Sequence, residues 1–179
     1  MKYFTRELWI SFQTPHWEKA TKHWQRRFEA YKKQLAKILP KMNSSGRAFF
    51  RDALVLHDGT LARLEVGDQL AAPTGDRPRG RNPCRAEVRL SVISDRSPKR
   101  FYLLRYECVS RIDLSLPGKV ELFPSGEYPN FGDWGYDELT LRRPTIFRHE
   151  ILFASRATIV TEFKQFSFRR MALTKQTPS

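Results

Sequence analysis

His57-Asp58 and His149-Glu150 are the two places in the sequence where a histidine adjoins a carboxylate, and Asp137-Glu138 lies between them. Brought together by a fold, such groups could bind a metal ion or move protons as general acid and base. His57, Asp58 and His149 are therefore the candidate catalytic residues of a hydrolase. Their spacing argues against one shared site. Neighbours on a strand point to opposite faces, so His149 and Glu150 cannot serve one centre together. His149 alternates in register with Phe147, Ile151 and Phe153, an apolar face where a histidine is expected as a hydrogen-bonded core residue. His57 precedes Asp58-Gly59, a turn signal, with the Asp58 side chain expected to bond its own backbone. The sequence has no glycine-rich phosphate loop, no serine-centred elbow and no paired cysteine ligands. It implies no metal and no cofactor.

The second chemical resource is positive charge. The chain carries a net +13, unevenly spread. Residues 1–50 hold eleven Lys/Arg against three Glu, a net +8, and residues 77–111 hold ten against three, a net +7. Such asymmetry points to an anionic partner. Lys19, Lys22, Arg26 and Lys33 in the first segment, with Arg100 and Arg105 in the second, are the candidate anion- or nucleic-acid-binding residues. The stretch Lys99–Tyr106 interleaves cations with aromatics as nucleic-acid binders do, and it reads equally as an ordinary amphipathic strand. Arg outnumbers Lys 21 to 11, which a GC-rich coding bias also produces.

The elements that must position these residues follow from periodicity. Thr5 is the expected N-cap of a short helix over 6–13. Thr14 with Pro15 opens a longer helix, 15–39, ended by Pro40. Trp17, Trp24, Phe28, Tyr31, Leu35 and Ile38 fall on one stripe of it, which is expected to pack across a sheet face with Trp24 and Phe28 at the centre. Asn43-Ser44-Ser45-Gly46 reads as a loop. From Ala48 the period changes to two. Strands are expected at 61–66, 85–92, 101–110, 119–123, 134–141, 145–154 and 157–168, the second and third paired as a hairpin through 94–99. Residues 71–83 read as a loop and 172–179 as a frayed tail. Strands in succession without intervening helices imply an antiparallel sheet. The expectation is one α+β domain over 1–171, a helical arm (1–39) on a mostly antiparallel sheet (48–171).

Length and composition support a self-sufficient core, with 179 residues of which 40% are hydrophobic and 13% aromatic. Cys84 and Cys108 are expected as reduced, buried small hydrophobes. The opening Met1-Lys2-Tyr3-Phe4 runs into charge rather than into a signal sequence. No apolar run is long enough to cross a bilayer, so the chain is expected in the cytoplasm and away from membranes.

Met1–Trp9 (MKYFTRELW) resembles the opening of an uncharacterised family of small bacterial proteins, a domain of unknown function. His57-Asp58-Gly59-Thr60-Leu61 resembles that family's His-Asp turn. Asp133–Leu139 and His149–Phe153 resemble its closing strands, while the arginine-rich 77–85 is not part of the likeness. The resemblance implies an N-terminal helical segment before a sheet and brings no mechanism. The functional expectation is a non-enzymatic binding or regulatory module whose partner is a protein or a nucleic acid. A nucleic-acid-associated basic protein and a His/carboxylate hydrolase are the alternatives.

Overall fold

The computed structural model describes residues 1–12, 14–15, 17–52, 54–68, 86–95, 98–116 and 131–172. The expected strand 119–123, the loop 71–83, residues 173–179 of the tail expected over 172–179, Cys84 and the arginines of 77–85 lie outside them, while Ala172 ends the last strand. The fold is α+β, as expected, but it holds two sheets rather than one. Helices α1 (Arg6–Ser11), α2 (Trp17–Ile38) and α3 (Ser44–Phe50) precede eight strands: β1 (Thr60–Asp68), β2 (Ala86–Ser94), β3 (Arg100–Glu107), β4 (Arg111–Ser115), β5 (Trp134–Arg143), β6 (Ile146–Phe153), β7 (Thr158–Phe163) and β8 (Gln165–Ala172). One sheet has the order β1-β2-β3-β8 and the other β4-β7-β6-β5. Every pairing is antiparallel.

The expected single strand 157–168 is two strands, and its phenylalanines explain why. Phe163 and Phe166 are both fully buried. Three residues apart on one straight strand, they would point to opposite faces. A bend at Lys164 turns both inward and carries the chain from the second sheet to the first. The neighbouring strands bend at the same level between β3 and β4, where Lys164 N–H donates to the Glu107 carbonyl at 3.2 Å and Ser110 N–H to the Glu162 carbonyl at 2.9 Å. Cys108 stands at that bend with a φ of 55°. It is disulfide-bonded, not reduced as expected, and it lies beyond β3 rather than on its inner face.

Between the sheets, Val88, Leu90, Val92, Tyr102, Leu104, Tyr106 and Phe166 meet Leu139, Phe147, Ile151, Phe153, Ile159 and Phe163. Sequence alternation placed Glu87 outside, yet it is buried. Arg89 and Arg105 flank it and both ion-pair with its carboxylate, which is what allows a charge to lose its water.

The helices close the sheet edges, where unpaired backbone groups would otherwise face solvent. Asn43-Ser44-Ser45-Gly46 is not a loop. Asn43 caps α3 by accepting from Gly46 N–H at 2.8 Å, since the short polar side chains that favour loops also favour N-caps. The helix then serves β8, with Ser45 Oγ accepting from Phe168 N–H at 3.2 Å and Asn43 Nδ2 donating to the Phe166 carbonyl at 2.8 Å. Helix α2 begins two residues later than expected, and Thr14 Oγ1 donates to the Ser11 carbonyl at 2.8 Å. It lies along edge strand β5 rather than across a sheet face. Its buried centre is Tyr31, Leu35 and Ile38, whereas Trp24 and Phe28 are half-buried and Trp17 is exposed. The Tyr31 hydroxyl accepts from Leu139 N–H of that edge at 2.8 Å. Among the described residues no helix is long and apolar enough to cross a membrane.

Candidate functional site

His57 and His149 occupy different environments. His149 is fully buried between the sheets, on the apolar face its alternation indicated. Its Nδ1 is 2.8 Å from the Tyr106 hydroxyl, which reaches across from the opposite sheet. Burial first and Asp137 second push the Tyr106 phenol well above its ordinary range, so it stays neutral beside the ring. The remaining Nε2 then faces Asp137 Oδ2 at 3.5 Å, without hydrogen-bonding geometry. Asp137 Oδ2 accepts instead from Trp134 Nε1–H at 3.1 Å. This Tyr106–His149–Asp137–Trp134 cluster pins one sheet to the other from inside the core.

Glu138, the neighbour of Asp137, is also fully buried, and its carboxylate holds the N-terminal segment. It accepts from the backbone N–H groups of Lys2 (2.7 Å), Tyr3 (2.5 Å) and Phe4 (2.5 Å). Burial raises its pKa, and the three N–H bonds oppose that rise. Arg27 donates to the Tyr3 carbonyl from the other side at 3.1 Å. Phe4 stacks on Tyr136 with ring centroids 5.1 Å apart. The Asp137-Glu138 pair therefore splits between two structural duties.

His57 lines a surface cleft of about 390 Å³ together with Trp24, Leu54, Asp58, Asp95 and Tyr136. Hydrogen bonds fix its position. Gly59 N–H donates to the Leu56 carbonyl at 2.8 Å, Asp58 N–H to the Trp134 carbonyl at 2.8 Å, and Trp134 N–H to the Gly59 carbonyl at 2.6 Å. A Cβ on Gly59 would stand 2.9 Å from the Leu56 carbonyl oxygen and 3.0 Å from that of Ile93, so close approach demands the glycine. The left-handed backbone of this turn falls on Asp58, at φ 64°, a conformation that Asp tolerates better than most residues. The Asp58 carboxylate lies 2.9 Å from His57 Nδ1, where the sequence reading placed it on its own backbone.

A second hollow continues from Asp58 and Asp95 to Thr60, Ile93, Lys99 and Asp133. Three carboxylates thus gather here in a strongly basic chain. Burial raises the Asp133 pKa, and Asp58 and Asp95 raise it further. Lys99 Nζ sits 3.1 Å from Asp95, which leaves the hollow net negative. Tyr136 lines the first cleft, its phenol pushed up to about 12 by burial and then by Asp58. Among the described residues, no three His, Cys, Asp or Glu side chains are placed to hold a metal ion. Sequence reasoning found His57 and Asp58 and missed Asp95, Asp133, Trp24 and Tyr136. Those four come from three separate segments, Asp133 and Tyr136 sharing one, and only their proximity makes them a site.

The cation candidates divide. Lys19, Lys22, Arg26 and Lys33 are exposed along α2, and Arg100 is half-buried at the start of β3. Arg105 is committed to Glu87 at 2.6 Å and Glu107 at 3.1 Å. Comparison with protein-family models, with curated proteins and with solved structures finds no match for this chain.

Proposed function

We propose that the chain is a non-enzymatic binding module whose ligand is an organic cation held in the cleft beside His57 and Asp58. The observation that carries this reading is that two adjoining hollows share Asp58 and Asp95, one bringing the aromatic walls Trp24 and Tyr136 and the other a third carboxylate, Asp133. Gathering carboxylates costs stability, since each raises the price of ionising the next. An ammonium or guanidinium group entering the cleft would reverse that sign. Aromatic faces attract such cations by about 0.5–1 kcal/mol at exposed sites and more when water is excluded. Leu54 and the two rings suit an apolar body attached to the charge. A bare divalent ion would gain nothing from those walls.

The test uses phenethylammonium and agmatine as probes, with phenethyl alcohol as the neutral counterpart, followed by backbone and indole NMR shifts. Both cations should move the Trp24 indole and the Asp58 and Asp95 amides, and the alcohol should not. Asp95→Asn/Asp133→Asn should weaken the cations at least tenfold without lowering the melting temperature. Equal binding of the alcohol, or shifts elsewhere only, would overturn the reading.

A further inference from the structure

Helix α2 carries a second surface, distinct from the cleft. With 100° per residue, Lys19, Lys22, Arg26, Lys33 and Lys37 project within about 60° of arc. Their Cα atoms span 18 residues, about 27 Å of helix at 1.5 Å per residue. All five are exposed. The arc lies opposite the buried side formed by Ala20, Tyr31, Leu35 and Ile38.

What sets these cations apart is their alignment on one helix face, together with their lack of ion-pair partners. On the sheets Arg63 pairs with Glu65, Arg89 and Arg105 with Glu87, Arg111 with Asp113, and Arg148 with Glu150 and Glu162. Among the described residues none of the five on α2 is in an ion pair. The nearby Glu29 is taken by Lys32 at 2.6 Å, and Lys32 lies outside the arc. Spacings of three and four bring Lys19, Lys22 and Arg26 close, and Lys33 and Lys37 likewise. Each such like-charge pair costs a helix about 0.2–0.5 kcal/mol. The helix therefore bears a like-charge repulsion along its exposed face.

We propose that this basic ridge docks on the phosphate backbone of a nucleic-acid duplex, without reading sequence. The ridge presents a row of point charges: four of the five are lysines, which bind phosphate as point charges rather than as bidentate base readers. Single strands are bound by stacking bases on aromatic side chains, and the arc contains no aromatic residue. Trp24, Phe28 and Tyr31 face the other way, toward Phe4 and Tyr136. Duplex is accordingly the occupant the ridge fits. The inference does not rest on the cleft, which the ridge side chains do not line.

The experiment measures binding of the full chain to a mixed-sequence duplex, to the corresponding single strand and to phosphatidylserine vesicles, from low to physiological salt. Two variants carry the same net charge: Lys19→Glu/Lys22→Glu/Arg26→Glu on the ridge, and Arg63→Glu/Arg111→Glu/Arg142→Glu on the sheets. The slope of log affinity against log salt is roughly −0.9 per phosphate contact on duplex DNA, so five contacts give about −4 to −5. The ridge variant should lose about three contacts from the slope and more than tenfold in duplex affinity at physiological salt, while the sheet variant keeps both. Equal loss in the two variants would reduce the effect to net charge and overturn the proposal. So would absent duplex binding at physiological salt, or preference for single strands or vesicles. A melting scan of the ridge variant, expected to match the wild type, separates lost docking from lost folding.

Discussion

Replacing Tyr31 by Phe removes one oxygen from the contact between α2 and the sheet and leaves the ring in place. The tyrosine is fully buried, and its hydroxyl accepts the outward N–H of Leu139 on edge strand β5 at 2.8 Å. Burial and then Asp137 push its phenol well above the ordinary range, so the substitution removes a hydrogen-bonding group and no charge. Leu139 is fully buried too, and water cannot replace the lost partner. A buried donor left unpaired costs about 1–3 kcal/mol. For a chain of this length each kcal/mol moves the melting temperature by roughly 2–4 °C, which gives a drop of about 2–12 °C. Amide exchange reads the cause directly, because Leu139 should lose protection out of proportion to its β5 neighbours. Trp24→Ala, on half-buried Trp24, should cost less than the 3–5 kcal/mol typical of a fully buried aromatic. A Tyr31→Phe melt within about 1 °C of wild type, with the Leu139 amide still protected, would refute the placement of α2 along this edge.

Glu138→Ala deprives Lys2, Tyr3 and Phe4 of their shared acceptor. Two of those N–H groups are buried, so the unfolding free energy from urea titration should fall by about 2–4 kcal/mol after the relief of burying a carboxylate, and residues 2–4 should exchange freely; unchanged exchange there would sink the strap. Asp133 gives a pH test with a definite sign. Its folded pKa is raised above the ordinary 3.8, so its favourable contribution is present at lower pH and lost as pH rises through the raised value. Asp133→Asn should therefore match wild type in melting temperature near pH 3 and exceed it increasingly toward pH 7, and a flat difference would count against the carboxylate cluster.

The sequence displayed whatever depends on one segment's own period. The α2 stripe, the β2–β3 hairpin and the inward face of His149 all follow from residues that stay near one another in the chain. What escaped it depends on a second segment. Asn43–Gly46 is loop-forming in isolation and helix-capping once α3 has β8 to lean on. Glu87 is outward by alternation and buried by the arginines that close over it. The 157–168 run has a strand's composition throughout, and only the shared burial of Phe163 and Phe166 betrays the bend. The cleft was least legible, because Trp24, Asp58, Asp95 and Asp133 become one surface only after the edge of the second sheet meets the end of the first.

Helix α2 joins both proposed sites and keeps them apart. Trp24, which walls the negative cleft, projects roughly 140–200° around the helix from the five cations, counting 100° per residue. A helix with its side chains is about 10–12 Å across, so a cation in the cleft and a phosphate on the ridge stand at least that far apart. The Debye length at physiological ionic strength is about 8 Å. Occupying one site therefore changes the potential at the other only weakly there, and more at low salt. Direct competition is excluded by the geometry, because a duplex on the outer face of α2 does not cover the cleft side. Any strong coupling between the two ligands at physiological salt would have to pass through the packing of α2 itself. The contacts available for that are Tyr31 on Leu139 and Trp24 against Tyr136, which hold the helix to the same strand, β5, that supplies Tyr136 to the cleft.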